Sequence, residues 1–150
     1  MIKNDDSDMQ PQSMVRRFHR LFDIVVQERP GLVDERTRFL RERLIQEEFD
    51  ELKEAMEKTD LPAIAKELAD LLYVVYGTAV SYGIDMGPVF QEVHRSNMSK
   101  IGGYKREDGK WVKPPSYSPA SIAPILAQQQ SLDERMAESS PSCEEVEPRA

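Results

Sequence analysis

Five acids carry the chemistry this chain could do. Glu47, Glu48 and Glu51 stand as Glu-Glu-x-x-Glu, and Glu67 and Asp70 stand as Glu-x-x-Asp after a gap of fifteen residues, 52 to 66. Residues three or four apart on an α-helix project from one face. At about 100° per residue, Ile45, Phe49, Leu52 and Met56 make a narrow apolar stripe with Glu48 beside it. Leu44 and Ala55 fall between that stripe and Glu51, and Glu47 shares the Glu51 side, turned further from Glu48. The pattern sets two acids at the edge of a core face and a third just outside it.

The second pair sits in stranger surroundings. From Leu68 to Val80 the only charged residue is Asp70, with Glu67 one turn before it. A helix apolar nearly all round is normally buried, and an uncompensated buried carboxylate costs several kcal/mol. Glu67 and Asp70 therefore need a shared cation or basic partners. A divalent metal compensates several carboxylates at once, and Mg²⁺ is a hard ion that prefers oxygen ligands. Brought together across a helix pair, Glu48, Glu51, Glu67 and Asp70 make a hard-cation site. Two plainer readings compete: a solvated acidic face for the first motif, and Arg-paired structural acids for the second.

The elements that must position these acids follow from caps and breaks. A first helix is predicted from Ser13, an N-cap residue, to Glu28, where Pro30-Gly31 ends it; Phe18, Leu21, Phe22 and Val25 supply its core stripe. A second runs from Asp34 to Lys58 and a third from Leu61 to Tyr82, with Asp60 and Pro62 as start signals and Gly83 as a stop. So short a link makes these two antiparallel neighbours. Gly77, seven residues after Asp70 on one face, lets another helix or a ligand approach closely. A fourth helix starts at Asp85 and ends before Gly102-Gly103, with Val89, Phe90 and Val93 toward the core. Glu107-Asp108-Gly109-Lys110 carries a tight-turn signature and predicts a small ribbon over 104–113, in which Trp111 packs. A short helix then begins at Ser118-Pro119 and runs to Gln129. The expected organisation is a lead over 1–12, one all-α domain of four to five helices with a small C-terminal ribbon over 13–130, and a disordered acidic tail over 131–150.

Taken together, the acid motifs resemble the signature of the all-α nucleoside triphosphate pyrophosphohydrolases. That group includes MazG-like enzymes, dimeric dUTPases and phosphoribosyl-ATP pyrophosphohydrolases. The similarity continues into VFQEVHRSNMSK and DGKWVKPPSYSP and covers roughly residues 14 to 125. It is strongest to the single-domain MazG-like branch with dUTP-hydrolysing members. The resemblance implies that four acids bind Mg²⁺, with Mn²⁺ as a possible substitute, and that an NTP is cut between its α and β phosphates. It also makes Asn97 similar to the family's nucleotide-contacting Asn.

Basic residues complete the reading. Between His94 and Lys113 there are six (Arg95, Lys100, Lys105, Arg106, Lys110, Lys113) against two acids, Glu107 and Asp108. Lys100, with Lys113 or Lys105, would neutralise phosphate oxygens as point charges; the plainer reading of Lys100 is a helix-dipole complement. His19 and Phe18 are candidates for enclosing the base, and Glu47, outside the main ligand face, is the candidate general base. The competing classes are a phosphoribosyl-ATP pyrophosphohydrolase, a wider house-cleaning NTP hydrolase, and a non-catalytic helical metal-binding oligomer.

Several classes are excluded or disfavoured. Di-iron bundles use Glu-x-x-His, but Gln91 precedes His94 and Arg16 precedes His19 at that spacing. Gly103 to Gly109 has the wrong spacing for a P-loop, and Trp follows Lys110. A net charge of −7 argues against general nucleic-acid binding. The single cysteine, Cys143, forms no internal disulfide. Leu71 to Val80 is too short for a membrane span, and Met1 to Gln12 has no apolar signal run. The expectation is a soluble cytoplasmic protein. Its apolar third helix needs cover from a second copy, giving a homodimer or homotetramer.

Overall fold

The computed structural model describes residues 10–138. Five helices and a two-stranded ribbon follow in order: α1 (Pro11–Leu21), α2 (Glu35–Glu57), α3 (Leu61–Ser81), α4 (Met86–Met98), β1 (Tyr104–Lys105), β2 (Trp111–Val112) and α5 (Ala123–Glu138). The protein is thus all-α, as its periodicity predicts.

Cap chemistry sets the helix ends. The Asp34 carboxylate accepts from the Thr37 backbone N–H (2.9 Å) and hydroxyl (2.7 Å), opening α2. Asp60 accepts from the Ala63 N–H at 3.2 Å, opening α3. Between them Thr59, at φ 53°, turns the chain, so α2 and α3 pack antiparallel along their length.

The first helix differs from the sequence reading. It begins at Pro11, a proline in the first turn needing no N–H partner, and Ser13 lies inside it. It stops at Leu21 because Asp23 takes a left-handed φ of 53°. The chain beyond runs along α3's C-terminal end, where Gln27 N–H donates to the Val80 carbonyl and Gly31 N–H to that of Tyr82. Gly83 sits under this segment at φ 68°, so close to the Arg29 carbonyl that no side chain fits.

The core is small. Val15, Leu52, Ala55, Ala79 and Val80 are its buried apolar members, joined by His19, Thr37, Arg41, Ser81 and Ser96. Phe18, Leu21, Phe22 and Val25 remain substantially exposed, so α1 buries Val15 and His19 instead of the expected stripe. The middle of α3 is also open, with Leu68, Leu72, Tyr73 and Val75 all exposed. α4 packs closely on no other helix among the described residues, which leaves Phe90 at 69 % and Val93 at 39 % exposure rather than in a core. Among the described residues, nothing covers these faces fully.

The ribbon pairs Tyr104 with Val112 and Lys105 with Trp111, antiparallel, and Gly109 (φ 83°) makes its turn. Trp111 is half-exposed rather than packed; its indole Nε1–H donates to the Lys100 carbonyl at 2.8 Å and ties the ribbon to the end of α4. Beyond it, Glu92 accepts from the Ser121 N–H (2.9 Å) and pairs with Arg95. Those bonds, Arg95's first, hold the Glu92 carboxyl down at about 2.

The last helix starts at Ala123 and continues to Glu138, so residues 131–138 are helical where a tail was expected. Gln129 clasps the Asp85 backbone from both sides and Gln130 donates to the Pro30 carbonyl, anchoring α5. The expected lead over 1–9 and the tail over 139–150, with Cys143, lie outside the described residues. No described helix is long and apolar enough to cross a membrane.

Candidate metal centre

The antiparallel pairing of α2 and α3 brings Glu48 opposite Glu67 and Asp70. Each of the three offers a carboxylate oxygen, and these oxygens lie within 4.8 Å of one another. All three residues are half-buried. Burial raises the Glu48 carboxyl above its ordinary range, and the charges of Glu51, Asp70 and Glu67 raise it further. Such mutual repulsion is what a divalent cation relieves, and an all-oxygen donor set suits a hard ion. The residues present therefore fit Mg²⁺ or Mn²⁺.

Glu51, the fourth sequence candidate, is exposed and outside the three-carboxylate group, though its charge reaches Glu48. Glu47 faces solvent and pairs with Arg43 at 3.5 Å. The pair read as buried is only partly so: Glu67 keeps 12 % of its side-chain exposure and Asp70 keeps 43 %.

Their basic partner is a residue the sequence reading passed over. Lys66 Nζ lies 2.7 Å from Asp70 Oδ2 and 3.1 Å from both Glu67 oxygens. Hydrogen bonds to Asp70 and then Glu67 keep this ammonium protonated well above the usual lysine range. The signal was available, since Lys66 stands four residues before Asp70, within one helical turn.

Aromatic rings flank the acids. Tyr73, three residues beyond Asp70 on α3, meets Phe18 edge-on with ring centroids 5.6 Å apart, and Phe18 stacks on Phe22 at 4.5 Å. His19 turns the other way. It is 2 % exposed, and its Nδ1 lies 3.0 Å from the Val25 carbonyl, to which it donates. Desolvation lowers its pKa. Its Nε2 and Arg41 Nη1 both crowd the open side of Gly77. Close approach at Gly77 is thus made by α1 and α2 side chains. Arg41 is 5 % exposed with its Nε unpaired, and burial lowers its pKa.

The predicted phosphate-holding residues gather elsewhere, at the end of α4. Lys100 Nζ donates to Asn97 Oδ1 at 2.6 Å, and Lys113 Nζ stands 4.0 Å over the Tyr117 ring. Ser96 donates to the Tyr117 hydroxyl at 3.3 Å, lowering its pKa, with Lys113 and Lys100 adding to the shift. Lys105 lies in β1, exposed. A cleft of about 810 Å³ between α1, α3 and α4 is lined by Leu72, Val75, Tyr76 and Phe90. It is mostly apolar and contains none of the clustered acids, so volume alone does not mark the chemistry.

The three-acid centre falls inside a match to a known family. Residues 15–97, more than half of the chain, match the phosphoribosyl-ATP pyrophosphohydrolase family. The chain belongs to that family. It is therefore a pyrophosphohydrolase of the MazG-like all-α superfamily. No match is found among curated proteins. The matched stretch takes in both acid motifs and ends at Asn97, so Lys100, Lys113 and the ribbon lie beyond it.

Proposed function

We propose that this pyrophosphohydrolase is Mg²⁺-dependent and cuts a nucleoside triphosphate, dUTP foremost, between its α and β phosphates, clearing it from the cytoplasmic nucleotide pool. The observation that carries the metal dependence is the convergence of Glu48, Glu67 and Asp70 oxygens within 4.8 Å. These three would hold the ion, with Glu51 completing the set by a rotamer change from its exposed position. The metal supplies charge neutralisation at phosphate oxygens and a more acidic bound water.

The chain's own residues do the rest. Phe18, Phe22 and Tyr73 offer ring faces beside the acids for a nucleobase. Glu47 accepts the proton of the attacking water once it leaves Arg43; that exposed pair holds it by about 1 kcal/mol at most. Lys100 and Lys113 neutralise the departing pyrophosphate, and Asn97 reads the sugar or base edge. Pyrophosphate so neutralised leaves without needing an acid to protonate it.

A second reading has its own support: the family match itself favours phosphoribosyl-ATP as substrate. One panel separates the two. Purified protein is given dUTP, the common nucleotides and phosphoribosyl-ATP, with and without Mg²⁺, and pyrophosphate is measured. Turnover of dUTP with the highest kcat/KM supports the first reading; turnover of phosphoribosyl-ATP alone supports the second. Release without added metal in chelated buffer would overturn the metal dependence of both.

A further inference from the structure

The three carboxylates do not stand alone, because Lys66 sits on two of them. Its ammonium bonds Asp70 and both oxygens of Glu67. The lysine side chain is otherwise open to solvent, 63 % exposed. There a single cation compensates Glu67 and Asp70 together. A divalent ion ligated by the same carboxylates would compete with this ammonium through charge repulsion.

We propose that Lys66 is an exchangeable counter-cation: it closes the acid centre when no metal is bound and, once displaced, turns its ammonium onto the substrate's phosphates. This rests on the metal-site reading above. The four-carbon stem of lysine allows the swing without backbone movement. The driving charge balance is simple. The centre trades one positive charge for two, and the freed ammonium meets a triphosphate arriving at the same face. Lysine suits such a move better than arginine, being a compact point charge on a flexible chain. A lysine one residue before the first acid of Glu-x-x-Asp thus serves both occupants of the site in turn.

The test uses the full chain and Lys66→Met, with Lys58→Met as a control that removes an equal charge from the exposed Glu54 pair. Mn²⁺ is titrated by calorimetry in the absence of nucleotide, and KM for the triphosphate is then measured at saturating Mg²⁺. Lys66→Met should bind Mn²⁺ about two- to fivefold more tightly than wild type, the scale of a partly exposed ion pair. Its KM should rise several-fold with kcat changed less, and Lys58→Met should match wild type in both. Unchanged or weaker Mn²⁺ binding in Lys66→Met overturns the exchange, as does an unchanged KM. So does an equal tightening in Lys58→Met, which would make the effect one of net charge. Wild-type protein that takes up no Mn²⁺ would instead remove the metal-site reading itself, a distinguishable result.

Discussion

Tyr73 and Phe18 meet edge-on at 5.6 Å, and this contact ties α1 to α3 one turn from the Asp70 carboxylate. Both rings are more than a third exposed, so the pair is worth less as core than as a wall. Phe18→Ala and Tyr73→Ala should each cost about 0.5–1.5 kcal/mol of stability, the scale of an aromatic pair. Each should raise the nucleotide KM several-fold while leaving Mn²⁺ affinity within twofold of wild type, by about the same calorimetric measurement. Loss of Mn²⁺ binding in either variant would mean the rings support the acid centre rather than the base.

Glu48 sets function against stability. Its carboxyl titrates above the ordinary range because of burial first, then Glu51, Asp70 and Glu67. A raised carboxylate pKa means the folded state binds the proton more tightly. The metal-free protein therefore loses stability as pH rises from the unfolded value through the raised one. Glu48→Gln removes that penalty. In chelated buffer at neutral pH its Tm should lie above that of wild type, the difference vanishing toward pH 4 to 5, about the ordinary carboxyl range. Adding Mg²⁺ should raise the Tm of wild type and not of the variant. A variant less stable than wild type at neutral pH in chelator would contradict the assigned repulsion.

Much of this was legible from spacing, and what was not has a physical reason. The caps at Asp34 and Asp60 and the breaker at Gly83 are local signals, so α2 and α3 could be read within a residue at each end. The two acid motifs on those helices could then be set face to face. The end of α1 depends on Asp23 adopting a positive φ, a conformation no pattern announces. Glu51 was grouped with the ligands on its motif, and only side-chain placement separates it from the three that converge. Burial was overestimated throughout. Helical periodicity reports which face is apolar and not what covers it, and among the described residues α4 packs closely on no other helix.

Gly77 marks a structural limit near the centre. A methyl group there would stand 3.0 Å from both Arg41 Nη1 and His19 Nε2. Both side chains are buried. Gly77→Ala gains helix propensity but must displace them. A net loss of about 1–3 kcal/mol is expected, the cost of overpacking a tight interior, measured by urea unfolding. An Ala variant as stable as wild type would show that the guanidinium moves freely, contrary to its burial.

The final prediction follows from where the cations are. The three acids lie on α2 and α3, whereas Lys100 and Lys113 gather around Tyr117 at the end of α4, a helix that packs closely on none of α1 to α3. Leu68, Leu72 and Val75 on α3, with Phe90 and Val93 on α4, leave apolar surface open on both elements. Burying a side chain of this size is worth about 1.5–3 kcal/mol, and we propose that a second copy covers several of them. If that copy also carries its Lys100 to the acids of the first, each site is built from two chains. Asp70→Asn and Lys100→Ala should then each be severely impaired alone. Mixed, unfolded and refolded together, they should recover up to about a quarter of wild-type activity, since random pairing of equal amounts makes half the dimers mixed and each mixed dimer retains one intact site. Recovery to no more than the average of the two single variants would place Lys100 with the acids of its own chain. A 17.2 kDa species by light scattering at micromolar concentration would remove the second copy altogether. Leu72→Glu supplies the independent check: it should yield a folded monomer with little activity, and an active monomer would defeat the shared site.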